Sequence, residues 1–572
     1  MERRNFIKNI VAGSILFGLA PPIKSDSVYS FKKKDTKGDI RNTYVSDAVV
    51  IGGGLGGFAA AYSLLRNNKT VILCEETDWI GGQITSQGVP PDEHQWIETK
   101  GATQSYRDYR NKIRDYYKQF YPLNEEAKND TFLNPGGGGV SRLCHEPKVS
   151  VAVFEGYLAP FISSGRLKLF LNNKLISANT ANDVVYSVNI ENIHNKEIKV
   201  LHAQYFVDAT ELGDLLPLTN TEYVKGTESK KTTGELHAPE IGNPENVQSF
   251  TMCYAIDYVP GEDHTIEKPN DWEFWRNYIP DIQPSWPGKL LGLHYSTPST
   301  LVPKELSFHP EGGQVKEGIL NLWDYRKIVD RKKYREGFYK GDVTIVNWPI
   351  NDYMLGNLID ANKSDFDKYI YESKQLSLSL LYWLQNEAPR PDGGKGWPGV
   401  RLRKDILGTD DGLAKYPYIR ESRRIKANFT VLEEHVGAEN RKLVAKANED
   451  PDSAAYFYDS VGIGYYHIDL HPSNLGDNYI DFPSLRFQIP LGALIPVRMR
   501  NLLPANKNIG TTHITNGCYR LHPVEWGIGE AVGLLITYSL NNNETPQRIR
   551  ENRVLLRDFQ DFIKSEGVET EW

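Results

Sequence analysis

The feature that most constrains this chain lies between Asp47 and Glu75. Asp47-Ala48-Val49-Val50-Ile51 is an apolar run of β-branched character and reads as a buried parallel strand. It passes directly into Gly52-Gly53-Gly54-Leu55-Gly56-Gly57, where Gly52, Gly54 and Gly57 supply the glycines of a G-x-G-x-x-G turn. Phe58 to Arg66 reads as a helix and Thr70 to Cys74 as a second apolar strand, ending at Glu75. Each position has a physical reason. Gly52 permits the tight turn, Gly54 lets the backbone approach a pyrophosphate, and Gly57 lets the helix pack closely on the strand. The helix N-terminus then faces the phosphates, and Glu75, 23 residues after Gly52, reaches the ribose hydroxyls. Glu76 competes for that role, and the spacing favours Glu75.

Further motifs come in order along the chain. Glu75 precedes Gly81-Gly82, and strands expected over Arg166 to Ile190 and Ile198 to Val207 form a meander leading into Asp208-Ala209-Thr210-Glu211-Leu212-Gly213-Asp214. Near the end come Asn506-Lys507-Asn508-Ile509-Gly510 and Arg520-Leu521-His522-Pro523-Val524-Glu525-Trp526-Gly527-Ile528-Gly529-Glu530. Together these resemble the FAD-dependent oxidoreductases with a glutathione-reductase-type FAD domain. The resemblance covers about 45–225 and 490–545, and Arg420 to Arg424 and Val461 to Tyr465 look like further blocks of the same family. It implies an α/β fold, with a Rossmann-type FAD domain built from discontinuous segments and an inserted α+β substrate domain. It also implies FAD as cofactor, bound by the fingerprint glycines and Glu75, by Gly81 and Gly82, by Asp208, Gly213 and Asp214, and by Gly510, Val524 and Glu525 of the closing segment. A helix N-terminus at the flavin's pyrimidine edge would stabilise negative charge on the reduced ring.

Some relatives resemble the flavoprotein subunit of heterodisulfide reductase, which carries iron–sulfur clusters. The four cysteines, Cys74, Cys144, Cys253 and Cys518, include no C-x-x-C pair, so the clusters are not expected here. All four are expected to be core thiols. No second strand–glycine–helix unit appears, so no dedicated nicotinamide domain is expected either.

The N-terminus reads as an address. Arg3-Arg4-x-Phe6-Ile7-Lys8 resembles a twin-arginine signal, and the apolar run from Ile10 to Ala20 is too short to span a bilayer. The expected organisation is a signal peptide over 1–27, the first part of the FAD domain over 45–225, and a Trp-, Tyr- and Pro-rich substrate domain over 226–489. The FAD domain closes over 490–545, and a C-terminal helix and tail occupy 546–572. The glycine run Asn134 to Gly139 is expected to be a mobile loop. A net charge of −7, from 66 Lys+Arg against 73 Asp+Glu, offers no attraction to nucleic acid. No stable membrane span is expected.

For chemistry, Tyr466-His467-Ile468-Asp469-Leu470-His471-Pro472 stands out. On an extended segment, alternation puts His467, Asp469 and His471 on one face, as general base and substrate clamp. The same triplet suits a divalent metal or a structural network, and no metal is assigned to it. His522 is a second candidate base or flavin-edge hydrogen-bond donor, with a helix-capping or packing role as the alternative. Arg520 is expected to hold a substrate carboxylate or, more in keeping with its type, to pair with a neighbouring acid, and Arg420, Arg423 and Arg424 form an anion-binding cluster or a salt-bridged face. Cys144-His145 is a weaker thiol–imidazole candidate, because neighbours on a strand face opposite ways. The expected function is an exported FAD-dependent oxidoreductase taking hydride from an alcohol or amine carbon of a polar, carbohydrate-derived small molecule. Oxygen, a quinone or a redox protein would be the electron acceptor. The alternatives are a flavin-dependent eliminase or isomerase using transient oxidation, and a non-catalytic sugar-binding relative.

Overall fold

The computed structural model describes residues 42–312 and 317–572. The signal segment expected over 1–27 lies outside them. A seven-stranded sheet organises the first and last parts of the chain. Its strands include β1 (Thr43–Ile51), β2 (Val71–Cys74), β3 (Leu167–Phe170), β4 (Asn173–Ala181), β5 (Val184–Asn192) and β6 (Ile198–Asp208). They run in the order β3-β2-β1-β6-β5-β4, and the strand Leu502–Pro504 also pairs with β6. The expected meander therefore splits. Its first strand, β3, lies parallel to β2 at the opposite edge, while β4, β5 and β6 run antiparallel.

The register of the parallel strands positions the site. Ile51 pairs with both Cys74 and Asp208, Cys74 with Phe170, and Pro504 with Asp208. Five strands thus end level, and the residues after them emerge along one carboxyl edge, where open α/β sheets bind ligands. Motifs separated by hundreds of residues converge there.

Helix α1 (Leu55–Arg66) follows β1 and packs against the closing helix His522–Asn542. Small residues four apart make the approach close: Gly56 and Ala60 face Gly529 and Gly533. A Cβ on Gly529 would stand 2.0 Å from the Gly56 carbonyl oxygen, and one on Gly533 2.5 Å from that of Ala60. With the two backbones in contact, Glu525, one turn before Gly529, reaches the start of α1.

Between these parts lies a four-stranded antiparallel sheet ordered Lys327–Val329, Val343–Val346, Tyr254–Tyr258, Val400–Leu402, with the helix Lys363–Asn386 packed beside it. The glycine run is a loop, as expected, but two of its glycines are packed under a strand. Gly136 and Gly138 are buried, and a Cβ on either would stand 2.3 or 2.6 Å from the Lys327 carbonyl oxygen, so they are small because another strand passes over them. The tail forms two helices, Pro546–Glu551 and Arg553–Ser565. Asn552 separates them and caps the second through its side-chain oxygen.

Candidate active site and cofactor cradle

A cavity of about 520 Å³ opens at the carboxyl edge of the sheet, within the size range of cofactor sites. Gly52 and Gly54, Glu75 and Glu76, Gly82, and the Thr210–Leu212 turn with Asp214 contribute to its wall. Gly52 adopts φ +97°, and a Cβ there would stand 2.1 Å from the Ala209 carbonyl oxygen. Gly57 is small for the packing reason expected, since its Cβ would lie 1.9 Å from the Gly52 carbonyl oxygen. Gly54 differs. A Cβ there would meet only side-chain ends, the carboxylates of Glu211 and Glu525 at 3.2 and 3.4 Å and the Asn506 amide at 3.9 Å, so its smallness keeps open the space before α1. That helix has no side-chain N-cap and no acid in its first turn. A helix N-terminus with no cap of its own, its Gly56 N–H reached by Glu525 at 3.4 Å, suits a pyrophosphate, and the residues present fit FAD.

Glu75 accepts hydrogen bonds from the Gly53 N–H (2.7 Å) and from the N–H and hydroxyl of Thr77 (2.9 and 2.8 Å). Gly81, with φ +111°, donates its N–H to the Gly53 carbonyl oxygen, and Gly82 packs on Gly54. Gly213 turns the chain at φ +69°, and Asp214 pairs with Arg423 at 3.0 Å. Of the expected cofactor residues, Gly57, Gly81, Asp208, Gly213, Gly510, Val524 and Glu525 fall outside the cradle wall. Asp208 is fully buried, and its carboxylate accepts from Thr210 and from the Leu215 N–H, holding the 208–215 turn. Gly510 packs against Ala427 and Phe429, and Val524 against Gly464.

Behind the cradle, Glu525 accepts from the Gly56 N–H at 3.4 Å and from the Gln83 amide, and Lys507 pairs with Glu211. Burial pushes the Glu525 carboxyl up to about 7, with the Lys507 charge opposing. A raised carboxyl favours the protonated folded form, so its stabilising effect is greatest at low pH and is lost as pH rises through about 7. Two results are expected. Stability of the cofactor-free protein falls less between pH 5 and 8 in Glu525→Gln than in wild type. FAD affinity, measured by fluorescence quenching, weakens from pH 6 to 8 in wild type and less in the variant, because ionised Glu525 repels the pyrophosphate.

A second cavity, of about 150 Å³, holds the histidine cluster. The strand Ile468–Leu470 pairs antiparallel with Ile480–Phe482. Ile468 and Leu470 are buried on one face, while His467, Asp469 and His471 line the cavity on the other. The three do not form one triad. His471 Nδ1 lies 2.6 Å from Asp352 Oδ2, and Asp352 in turn meets Arg420 at 3.0 Å and accepts from Thr251. His467 Nδ1 lies 3.0 Å from Asp481, and Asp469 pairs with Arg520 at 3.0 Å. Burial would raise Asp352 and Asp469, but neighbouring arginine and histidine charges outweigh it and hold both carboxyls low. Burial opposes protonation of His467, and its aspartate neighbours overcome that and raise it.

Asp352, Asp481, Asp92 and Arg326 were not singled out from sequence. Alternation in the hairpin partner could have found Asp481. Asp352 and Arg326 come from distant segments with no local signal. His522 is not available as a base. Its Nδ1 accepts from the Asp92 N–H at 3.1 Å, its Nε2 lies 3.3 Å from the Val89 carbonyl oxygen, and burial lowers it to about 4. Of the arginine cluster only Arg420 lines this cavity; Arg423 borders the cradle, and Arg424 is buried against Glu421 and Glu228. Cys144 and His145 are not a reactive pair. His145 Nε2 engages Ser150, and burial pushes the Cys144 thiol up to about 12. All four cysteines are free and buried. Among the described residues, no group of three or more His, Cys, Asp or Glu is arranged to hold a metal ion, and no helix is long and apolar enough to cross a membrane.

A glycine-turn α/β domain with a cradle for a dinucleotide, together with a separate polar cavity, defines a dinucleotide-dependent enzyme. The chain belongs to the FAD dependent oxidoreductase family, whose model matches residues 47–563, and its cofactor is FAD. It is 29% identical over 137 residues to a carotenoid φ-ring synthase of Chlorobaculum tepidum; the match covers 22% of this chain and 19% of that protein. Solved structures similar to it include an E. coli quinol fumarate reductase variant (10% identity, 92% of this chain and 74% of that one, TM-score 0.32). Another is a geranylgeranyl bacteriochlorophyll reductase-like protein from Thermoplasma acidophilum (12% identity, 92% and 85%, TM-score 0.30).

Proposed function

We propose that this oxidoreductase oxidises an alcohol carbon of a small polar substrate in the cavity bounded by His467 and His471. The observation that carries the reading is the His471–Asp352 pair opening into that cavity. FAD supplies a two-electron acceptor for the hydride leaving the carbon. Asp352 accepts from Nδ1–H of His471, which fixes the tautomer and leaves Nε2, 3.8 Å from Asp469 Oδ2, to take the hydroxyl proton. Arg420 and Thr251 hold Asp352 so that its carboxylate does not turn away. Loss of hydride from carbon and of a proton from oxygen gives a carbonyl product. Reoxidation falls to oxygen, a quinone or a redox protein. Tyrosines and Trp348 in the wall suit stacking against a sugar ring, which supports a carbohydrate-type substrate.

A second reading rests on the second pair, His467–Asp481, on the same wall. A second base beside a newly formed carbonyl can remove a neighbouring proton, as a transient-oxidation eliminase requires. Anaerobic mixing with candidate sugars and polyols separates the two. Flavin absorbance that falls and stays low until acceptor is added fits the oxidoreductase, and absorbance that recovers unaided fits the eliminase. No bleaching by any hydroxyl compound contradicts both. Export is part of the proposal, supported by Arg3-Arg4-x-Phe6-Ile7-Lys8 alone. Replacing Arg3 and Arg4 by lysine should leave the precursor in the cytoplasm, and continued export would contradict a twin-arginine route.

A further inference from the structure

Three arginines line the histidine cavity, and two of them hold both Nη groups on the protein, with only Nε unpaired. Arg420 donates to the Ser249 carbonyl oxygen and the Thr251 hydroxyl and pairs with Asp352. Arg520 donates to the Tyr418 hydroxyl and to Asp469. Arg326 is different. Its side chain is only 10% exposed, yet its Nε and Nη1 have no hydrogen-bond partner. The nearest carboxylate, Asp92, stands 3.5 Å from Nη1 and makes no hydrogen bond to it. Local structure holds Arg326 in place. It joins the short helix Leu322–Tyr325 to the strand Lys327–Val329, its carbonyl accepts from the Ile345 N–H at 3.1 Å, and its guanidinium lies 4.9 Å from the Tyr325 ring.

A buried guanidinium N–H without a hydrogen bond is costly, and such groups are satisfied by the protein, by ordered water or by a ligand that displaces it. The other buried unpaired atoms in the wall decide what the ligand must bring. The Asn347 amide nitrogen, the Trp348 indole N–H and Nε of Arg420 and Arg520 are donors without acceptors, and the Tyr479 hydroxyl is also unpaired. The Asp92 oxygen is the acceptor among them. Donors therefore outnumber acceptors, and a ligand that completes the set is rich in acceptor oxygens. The other wall carboxylates already face a cation or imidazole: Asp469 faces Arg520, and Asp481 faces His467.

We propose that the substrate carries a carboxylate that Arg326 grips through its guanidinium fork, so that the enzyme acts on small hydroxycarboxylates, uronates among them, in preference to neutral sugars. This rests on the reading of the cavity as the substrate site. A planar fork matches a carboxylate through two parallel hydrogen bonds, which a lysine ammonium cannot reproduce. The Asp92 oxygen beside it accepts from a substrate hydroxyl, and His471 takes the proton of the hydroxyl being oxidised. A volume of about 150 Å³ limits the bound part to roughly one ring.

The test uses the FAD-loaded protein and two matched probe pairs, D-glucuronate with D-glucose and lactate with 1,2-propanediol. Binding is measured by calorimetry and anaerobic bleaching by absorbance. At least one carboxylate should bind roughly 10- to 100-fold more tightly than its neutral partner. Arg326→Gln should abolish that preference by weakening the carboxylate far more than its neutral partner, and Arg326→Lys should restore only part of it. Equal binding within both pairs, or a preference that survives Arg326→Gln, overturns the proposal. If Arg326→Gln fails to fold, the lysine variant decides: a preference equal to wild type overturns the fork. Arg326-dependent carboxylate binding that never leads to bleaching by any hydroxy acid would leave the anion site standing and refute the cavity as the site of oxidation.

Discussion

Replacing His471 by asparagine lowers the rate of substrate-dependent flavin bleaching by about 10²–10⁴-fold, the range typical of losing a general base, while leaving FAD content unchanged. His471 lies in the wall of the polar cavity, not of the cofactor cradle, so binding and chemistry should separate. Asp352→Asn should lose a large part of the same rate, because an amide can present its N–H to Nδ1 and favour the wrong tautomer. The split between kcat and KM makes the role specific. A positioning aspartate lowers kcat with little change in KM, and alkaline pH should partly rescue His471→Asn by ionising more of the hydroxyl. Stopped-flow measurement with saturating substrate checks this. A His471→Asn variant within a few-fold of wild type would move the base elsewhere, with His467 the next residue to replace.

Gly529→Ala should destabilise the protein by about 3 kcal/mol or more and lower its FAD content, although it adds one methyl group. The added carbon would lie 2.0 Å from the Gly56 carbonyl oxygen, and the Gly56 Cα and carbonyl carbon are 2.6 Å away. These are backbone atoms and cannot rotate aside as a side chain would. The two helices must therefore separate, which shifts Glu525 and the start of α1 at the cradle. Gly527, two residues earlier in the same helix, provides the control. Its Cβ would meet nothing closer than Ile489 at 3.8 Å, so Gly527→Ala should gain roughly 0.5–1 kcal/mol from helix propensity. Opposite shifts in melting temperature for the two substitutions test the packing directly.

The cofactor domain was legible because its information is local. A β-branched strand, a glycine turn and a helix are each encoded within a few residues, and the level strand ends then bring Glu75, Gly82 and Asp214 together. Alternation likewise placed His467, Asp469 and His471 on one face without any knowledge of what lay opposite. The partners were not legible. Asp352 reaches His471 across 119 residues, and no periodicity links them. His522 shows the converse failure. Its place at a helix start suggested chemistry, but its neighbours are the backbone of Val89 and Asp92, more than 400 residues away in sequence. The packing of Gly136 and Gly138 was not legible because glycine serves both mobility and close approach, and only the overlying strand at Lys327 distinguishes the two.

The central claim is that the cradle along the carboxyl edge holds the FAD that carries the chemistry. The most direct measurement is the visible spectrum of the folded protein, expressed from Ser27 and desalted. Bands near ~370 and ~450 nm, with FAD released on denaturation at about one per chain, are the expected result. A folded, colourless protein that takes up no FAD on reconstitution would contradict the account and reduce the glycine fingerprint to a feature of the fold.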